Sequence, residues 1–290
     1  MITDGHSPFV STEWLADHLR DPAIRILDAS YFVPGGIDPA IEQYRTGHIP
    51  NAIFFNVNTV ADTKKAKEHA FPDAATFAAE IGKLGIENRH HVVVYDHIGG
   101  CIAAARVWFM FRAFGHTSVS VLAGGRLKWI SEGRALTTEV PQFSPASFNA
   151  RPATSTVTKE TVLAASLNGA IQILDARSKG RFEGTESEPR PGLRSGHIPQ
   201  SRSLPFTSLF DAKTHLWKTP EQIAALFDEA GINLDSPLIT TCGSGISACT
   251  VALGAYMAGK SDTLIYDGSW VEWGADTNLP IEVGSAKPGS

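Results

Sequence analysis

Short apolar runs of five or six residues recur along the chain: IRILDA (24–29), HVVVYD (91–96) and SVSVLA (118–123), then IQILDA (171–176), PLITT (237–241) and DTLIY (262–266). Such runs are too short for helices and too continuously apolar for strands with one wet face, so they predict strands buried on both sides. Between them lie longer stretches in which apolar residues return every three or four positions. PDAATFAAEIGKLG (72–85) and TPEQIAALFDEAG (219–231) predict amphipathic helices with one face on a core. Strand-like runs that alternate with helical stretches predict an α/β fold with a mainly parallel sheet flanked by helices on both faces.

The pattern is written twice. Ile26-Leu27-Asp28-Ala29 returns as Ile173-Leu174-Asp175-Ala176, 147 residues on, and Gly47-His48-Ile49-Pro50 returns as Gly196-His197-Ile198-Pro199, 149 residues on. His91–Asp96 answers Pro237–Cys242, and Gly124 with Trp129 answers Gly268 with Trp273. Matches in one order at one separation are the mark of duplicated domains rather than of a short solenoid repeat. Two tandem domains are therefore expected, 1–136 and 157–290. Between them, residues 137–156 (TTEVPQFSPASFNARPATST) are rich in Pro, Ser and Thr without helical periodicity and predict a linker.

Length and composition agree with this reading. The 290 residues are 43% hydrophobic and 19% charged, enough to bury a sizeable core, and the formal net charge is −5 without a basic cluster, which argues against nucleic acid as a partner. The N-terminal MITDGHSPFVSTEWL carries early acidic residues and no long apolar stretch, so neither a signal peptide nor a membrane span is expected. Three cysteines, Cys101, Cys242 and Cys249, form no CxxC pair and no zinc-ligand cluster. Scattered cysteines fit a reducing, cytoplasmic compartment without disulfides or a structural metal, and no cofactor fingerprint appears.

Cys242 ends a predicted strand and is followed by Gly243-Ser244-Gly245-Ile246-Ser247 and a helical stretch. A thiol at a strand tip before a helix N-terminus meets converging backbone N–H groups, which favour a sulfur anion. The glycines let the loop turn those groups inward, and Ser247 would cap the helix. A free cysteine is more often a packed core residue. The first repeat, however, has Asp96 at this place, so the fold does not demand a thiol there. A cysteine phosphatase needs an arginine six positions on, where Ala248 stands, and a dithiol oxidoreductase needs a second cysteine at Gly245. Cys249 and Cys101 read as core cysteines.

Two tandem units with a cysteine loop only in the second resemble the rhodanese superfamily of sulfurtransferases, and the resemblance runs from about Val10 to Trp273. Cys242-Gly243-Ser244-Gly245-Ile246-Ser247-Ala248 is similar to the CGSG loop of the branch that uses 3-mercaptopyruvate, whereas thiosulfate users resemble CRKGVTA with two basic residues. The resemblance implies a Cys242 persulfide stabilised by loop residues 243–247, formed from 3-mercaptopyruvate with release of pyruvate. The sulfur would pass to a thiol acceptor such as thioredoxin, or to cyanide. It implies carboxylate-binding roles for Arg181 and Arg190 in GRFEGTESEPR, a proton-relay role for Ser244, and first-domain contributions from Asp38 and His48. Because His197 repeats His48, that histidine could instead serve a turn common to both copies. Arginines among Glu183, Glu186 and Glu188 could likewise form ordinary ion pairs. Thiosulfate:cyanide sulfur transfer and a non-catalytic binding or regulatory module are the alternatives.

Overall fold

The computed structural model describes residues 7–32, 39–65, 67–99, 102–211 and 213–285. The chain falls into two compact units, Met1–Ala153 with Ala212–Trp217, and Thr154–Asp211 with Lys218–Ser290.

In the first unit, β1 (Phe9–Val10), β2 (Ile24–Asp28), β3 (Ala52–Phe54), β4 (His91–Tyr95) and β5 (Val119–Leu122) pair in the order β1-β5-β4-β2-β3. Every pairing is parallel, so each connection must cross over a sheet face. The crossovers are α1 (Thr12–His18), α2 (Pro39–Thr46), α3 (Ala74–Lys83) and α4 (Ala103–Ala113), with α5 (Gly125–Ser131) after the last strand. The second unit repeats this with β6 (Thr156–Val157), β7 (Gln172–Asp175), β8 (Arg202–Ser203), β9 (Leu238–Thr241) and β10 (Leu264–Tyr266), ordered β6-β10-β9-β7-β8 and again all parallel. Its helices are α6 (Lys159–Asn168), α7 (Lys179–Glu183), α8 (Pro220–Glu229), α9 (Ile246–Met257) and α10 (Ser269–Trp273), with a single 3-10 turn over Phe206–Leu209.

The long apolar runs are the central strands, and both units are α/β as expected. Edge strands of two or three residues carry too little alternation to be seen in the sequence. The helices start where their chemistry says: the Asp73 side chain accepts the Thr76 N–H, and Thr219 forms a capping box with Gln222 ahead of Pro220. Phe77 and Ile81 on α3, and Ile223 and Phe227 on α8, are the spaced residues that turn inward. No helix among the described residues is long and apolar enough to cross a membrane.

The stretch expected to be a linker is mostly part of the first unit. Thr137 pairs with His48, the Ala146 N–H donates to Gly82 O (2.9 Å) and the Arg151 N–H to Phe114 O (2.9 Å). Phe148 is buried among Phe77, Phe111 and His116. Two spaced phenylalanines, Phe143 and Phe148, anchor a segment whose Pro and Ser content reads as free chain. The second unit ends similarly: Glu282 pairs with His197 as Thr137 does with His48.

Candidate active site

Strand β9 lies at the centre of its sheet, and Cys242 follows its last residue, at the carboxyl end where parallel sheets bind ligands. The turn is closed by Gly245, the N-cap of α9, at φ 90°. Its counterpart in the first copy, Gly99, also stands at φ 90°, so the loop is inherited from the repeat. The Gly245 N–H donates to Cys242 Sγ at 3.0 Å, and Cys242 is 2% exposed at the N-terminal end of α9. The expected amide contact to sulfur is present for Gly245. Ser247, expected to cap α9, sits inside its first turn instead, because the left-handed glycine is the cap and no side chain bonds there. Ser244 is half-buried in the loop and Ile246 is buried under it. Cys249 is fully buried and donates to Gly245 O (3.4 Å), a packed position.

The first copy shows what this cradle accepts. Asp96, in the place of Cys242, is buried, and its carboxylate takes the N–H groups of Ile98 (3.1 Å), Ile102 (3.2 Å) and Ala104 (3.2 Å). The strand-loop-helix turn thus holds an anion in each reading: a fixed carboxylate in one copy, a thiol able to become a sulfur anion in the other.

Beside the cysteine loop stands Arg181, in the last turn of α7. A Cβ on Gly243 would lie 2.9 Å from Arg181 Nη2, so the guanidinium rests against the loop and glycine makes room for it. Phe182 turns the other way and stacks on His197. Glu188 grips one edge of Arg181, accepting from Nε at 3.1 Å and Nη2 at 2.6 Å. That side-on pair leaves the Nη1 end of the fork for another planar anion. Glu188 is no surface residue: its side chain is 2% exposed and also accepts from Arg177 Nη1 at 2.7 Å. Arg177 is fully buried, paired to Asp175, bonded to Gly196 O (2.7 Å) and stacked on Trp270 at 4.1 Å from the ring centroid. Burial alone would lower its pKa, but Asp175 and Glu188 more than offset that and hold it above the ordinary value. In the first copy Ser30 replaces this arginine; burial pushes the Asp28 carboxyl up, against the Ser30 N–H it accepts at 3.0 Å.

The four arginines of this stretch thus divide by what they touch. Arg177 anchors Glu188, and Arg194 donates to the carbonyls of Trp273 and Gly274 at the end of α10 and of Leu279 beyond it. Arg181 faces the loop, and Arg190 lies half-buried two residues beyond Glu188. The EPR sequence places Glu188 beside Arg190, but only the fold reveals that its carboxylate joins two arginines.

Asp38 lies outside the described residues. His48 is fully buried and its ring is held at both ends, Nδ1 by Tyr44 O (2.8 Å) and Nε2 by Glu139 O (3.1 Å), stacked on Tyr44. His197 matches it at Nδ1, on Phe182 O (2.9 Å), while its Nε2 faces the Glu282 carboxylate at 3.8 Å. Both GHIP histidines therefore tie a turn to the returning chain. Another histidine of the first unit, His69, opens on a cavity. His69 Nδ1 faces Asn58 Oδ1 at 3.3 Å, its carbonyl accepts from buried Arg106 (3.0 Å), and with Asn58, Asp62 and Lys65 it lines a cavity of about 310 Å³. Like His215, it stands at a positive φ, 43° against 55°.

A family model for the rhodanese-like domain matches residues 11–132 and again 158–276. The chain is 43% identical over 270 residues to 3-mercaptopyruvate sulfurtransferase of Mus musculus, covering 91% of each protein. It is 44% identical over 271 residues to thiosulfate sulfurtransferase of the same species, with the same coverage. Among solved structures, SseA from Escherichia coli, described with the 3-mercaptopyruvate sulfotransferases, superposes with a TM-score of 0.82 at 35% identity, over 91% of this chain and 99% of that one.

Proposed function

Since the chain belongs to the rhodanese family of sulfurtransferases, we propose that it takes its sulfur from 3-mercaptopyruvate and carries it as a persulfide on Cys242. Overall similarity does not choose the donor, because the mercaptopyruvate and thiosulfate relatives are equally close. The observation that carries the choice is the loop: Gly243 and Ser244 are uncharged where a dianionic donor would call for cations, and the cation beside the loop is the planar guanidinium of Arg181.

In this reading the Cys242 thiolate attacks the donor sulfur, an S–S bond forms and the C–S bond breaks. The electron pair leaves with carbon as the enolate of pyruvate, which takes a proton. Arg181, through the edge Glu188 leaves open, and Arg190 hold the carboxylate and keto oxygen. The Gly245 amide stays on the sulfur through the step. A thiol acceptor, thioredoxin among them, or cyanide then attacks the outer sulfur and frees Cys242, which gives ping-pong kinetics. The hydroxyl of Ser244 in the loop is assigned to relay the proton. From the first unit we assign proton delivery to His69 rather than His48, whose ring is clamped between the Tyr44 and Glu139 carbonyls.

Two experiments test these assignments. Arg181→Ala and Arg190→Ala should each raise KM for mercaptopyruvate by about 10- to 100-fold, with a much smaller effect on thiosulfate. Equal losses on both donors, or a parent enzyme whose kcat/KM favours thiosulfate, would assign the site to the dianion instead. His69→Asn should lower kcat about 100-fold while the protein stays folded, whereas His48→Asn should mainly lower the melting temperature. The reverse pattern would return the proton role to His48.

A further inference from the structure

The two copies differ at one backbone position in a way the fold does not require. After the matched glycines Gly124 and Gly268 come Gly125 and Ser269, with φ of 50° and 52°. This left-handed conformation suits glycine and is uncommon for serine, yet the copy with the cysteine loop holds the serine. A Cβ on Gly125 would fall 2.6 Å from Asp96 O and 2.8 Å from Gly99 N, so the first copy has no room for a side chain there. In the second copy that room exists and a fully buried hydroxyl fills it.

The hydroxyl is fully engaged. Ser269 Oγ donates to Tyr266 O at 2.8 Å and accepts from the Cys242 N–H at 3.3 Å and from Thr241 Oγ1 at 3.4 Å. The next two residues hold the loop from below, the Trp270 N–H on Cys242 O and the Val271 N–H on Gly243 O, both at 2.9 Å. The first of these ties is present in the first copy too, where the Arg126 N–H donates to Asp96 O at 3.0 Å. What the cysteine copy adds, besides the Val271 tie, is the serine hydroxyl on the peptide N–H of Cys242.

We propose that Ser269 is a positioning residue for Cys242: its hydroxyl sets the height of the cysteine loop over α10 and so keeps Sγ on the Gly245 amide. The strained backbone is kept because only that conformation puts the hydroxyl under the loop. Without it, the Cys242 N–H is buried without its partner, and the loop loses one of its ties to α10. This role rests on the reading of Cys242 as the sulfur carrier.

The test compares Ser269→Gly and Ser269→Ala in the full chain. Both remove the hydroxyl, but only glycine also removes the strain. We expect the glycine variant to melt at or above the parent temperature. In both variants kcat for sulfur transfer should fall about five- to tenfold with little change in KM. Iodoacetamide labelling of the Cys242 peptide, followed by mass spectrometry, should slow in both. Parent-like kcat and labelling in both variants would overturn the proposal, as would a loss confined to the alanine variant in step with its melting temperature. The labelling arm keeps the two claims apart. If the parent labels at Cys242 but never gains a sulfur from donor, the sulfur-carrier reading fails, while slower labelling in both variants would still report the positioning.

Discussion

Cys242→Ser is expected to leave a folded protein whose sulfur transfer is lost by ~10⁴-fold or more, the scale seen when a covalent nucleophile is removed. Oxygen for sulfur is a small change of volume, and the Gly245 N–H that meets Sγ can donate to a hydroxyl as well. Fold and melting temperature should therefore survive. A serine cannot store the transferred atom, because its hydroxyl is not ionised near neutral pH and forms no persulfide. Treating the parent with mercaptopyruvate should add the mass of one sulfur to the Cys242 peptide and release pyruvate; the serine variant should do neither. Full activity of that variant, or a sulfur found on Cys249 instead, would sink the assignment.

The largest structural effect should come from Arg177→Ala. Removing this guanidinium leaves Asp175 and Glu188 facing each other's neighbourhood inside the second unit, and breaking a buried ion pair from one side costs about 3–5 kcal/mol. Arg177 is 0% exposed with its donors on Asp175, Glu188 and Gly196 O, so water cannot take its place without the interior opening. The exposed pair Arg45–Glu42 makes the control: Arg45→Ala should shift stability by less than about 1 kcal/mol. Urea unfolding followed by tryptophan fluorescence reads both, since Trp270 stacks on Arg177. An Arg177→Ala protein with the parent's midpoint would show that the network carries no stability. Activity should drop as well, because Glu188 would lose one of the two arginines between which it is held, and with it the orientation of Arg181.

The cysteine site was legible because the chain contains its own comparison. A repeat that carries Asp96 in one copy and Cys242 in the other separates what the turn requires from what chemistry adds, and Gly99 and Gly245 mark the same turn in both. The resemblance of their motif singled out Arg181 and Arg190, and the structure sets Arg181 against the loop. Glu188 was not, since a glutamate between two arginines in sequence looks like any surface carboxylate until burial is known. His48 illustrates the opposite failure: its repetition signalled a shared structural duty, and the carbonyls of Tyr44 and Glu139 are that duty. His69 and Ser269 could be singled out only once backbone angles were available, because a positive φ leaves no trace in residue type when the residue is not glycine.

The sequence by itself determined the duplicated α/β plan, the central strands, the amphipathic helices and the place of the thiol. These follow from local periodicity and from residue types whose preference is felt within a few positions. Only the tertiary structure decided which charges meet, that the proline- and serine-rich stretch belongs to the first unit's packing, and which histidine is committed to a turn. Those outcomes depend on burial and on partners distant in sequence, and an ion pair such as Arg177 with Glu188 exists as chemistry only after the sheet and its loops have excluded water from around it.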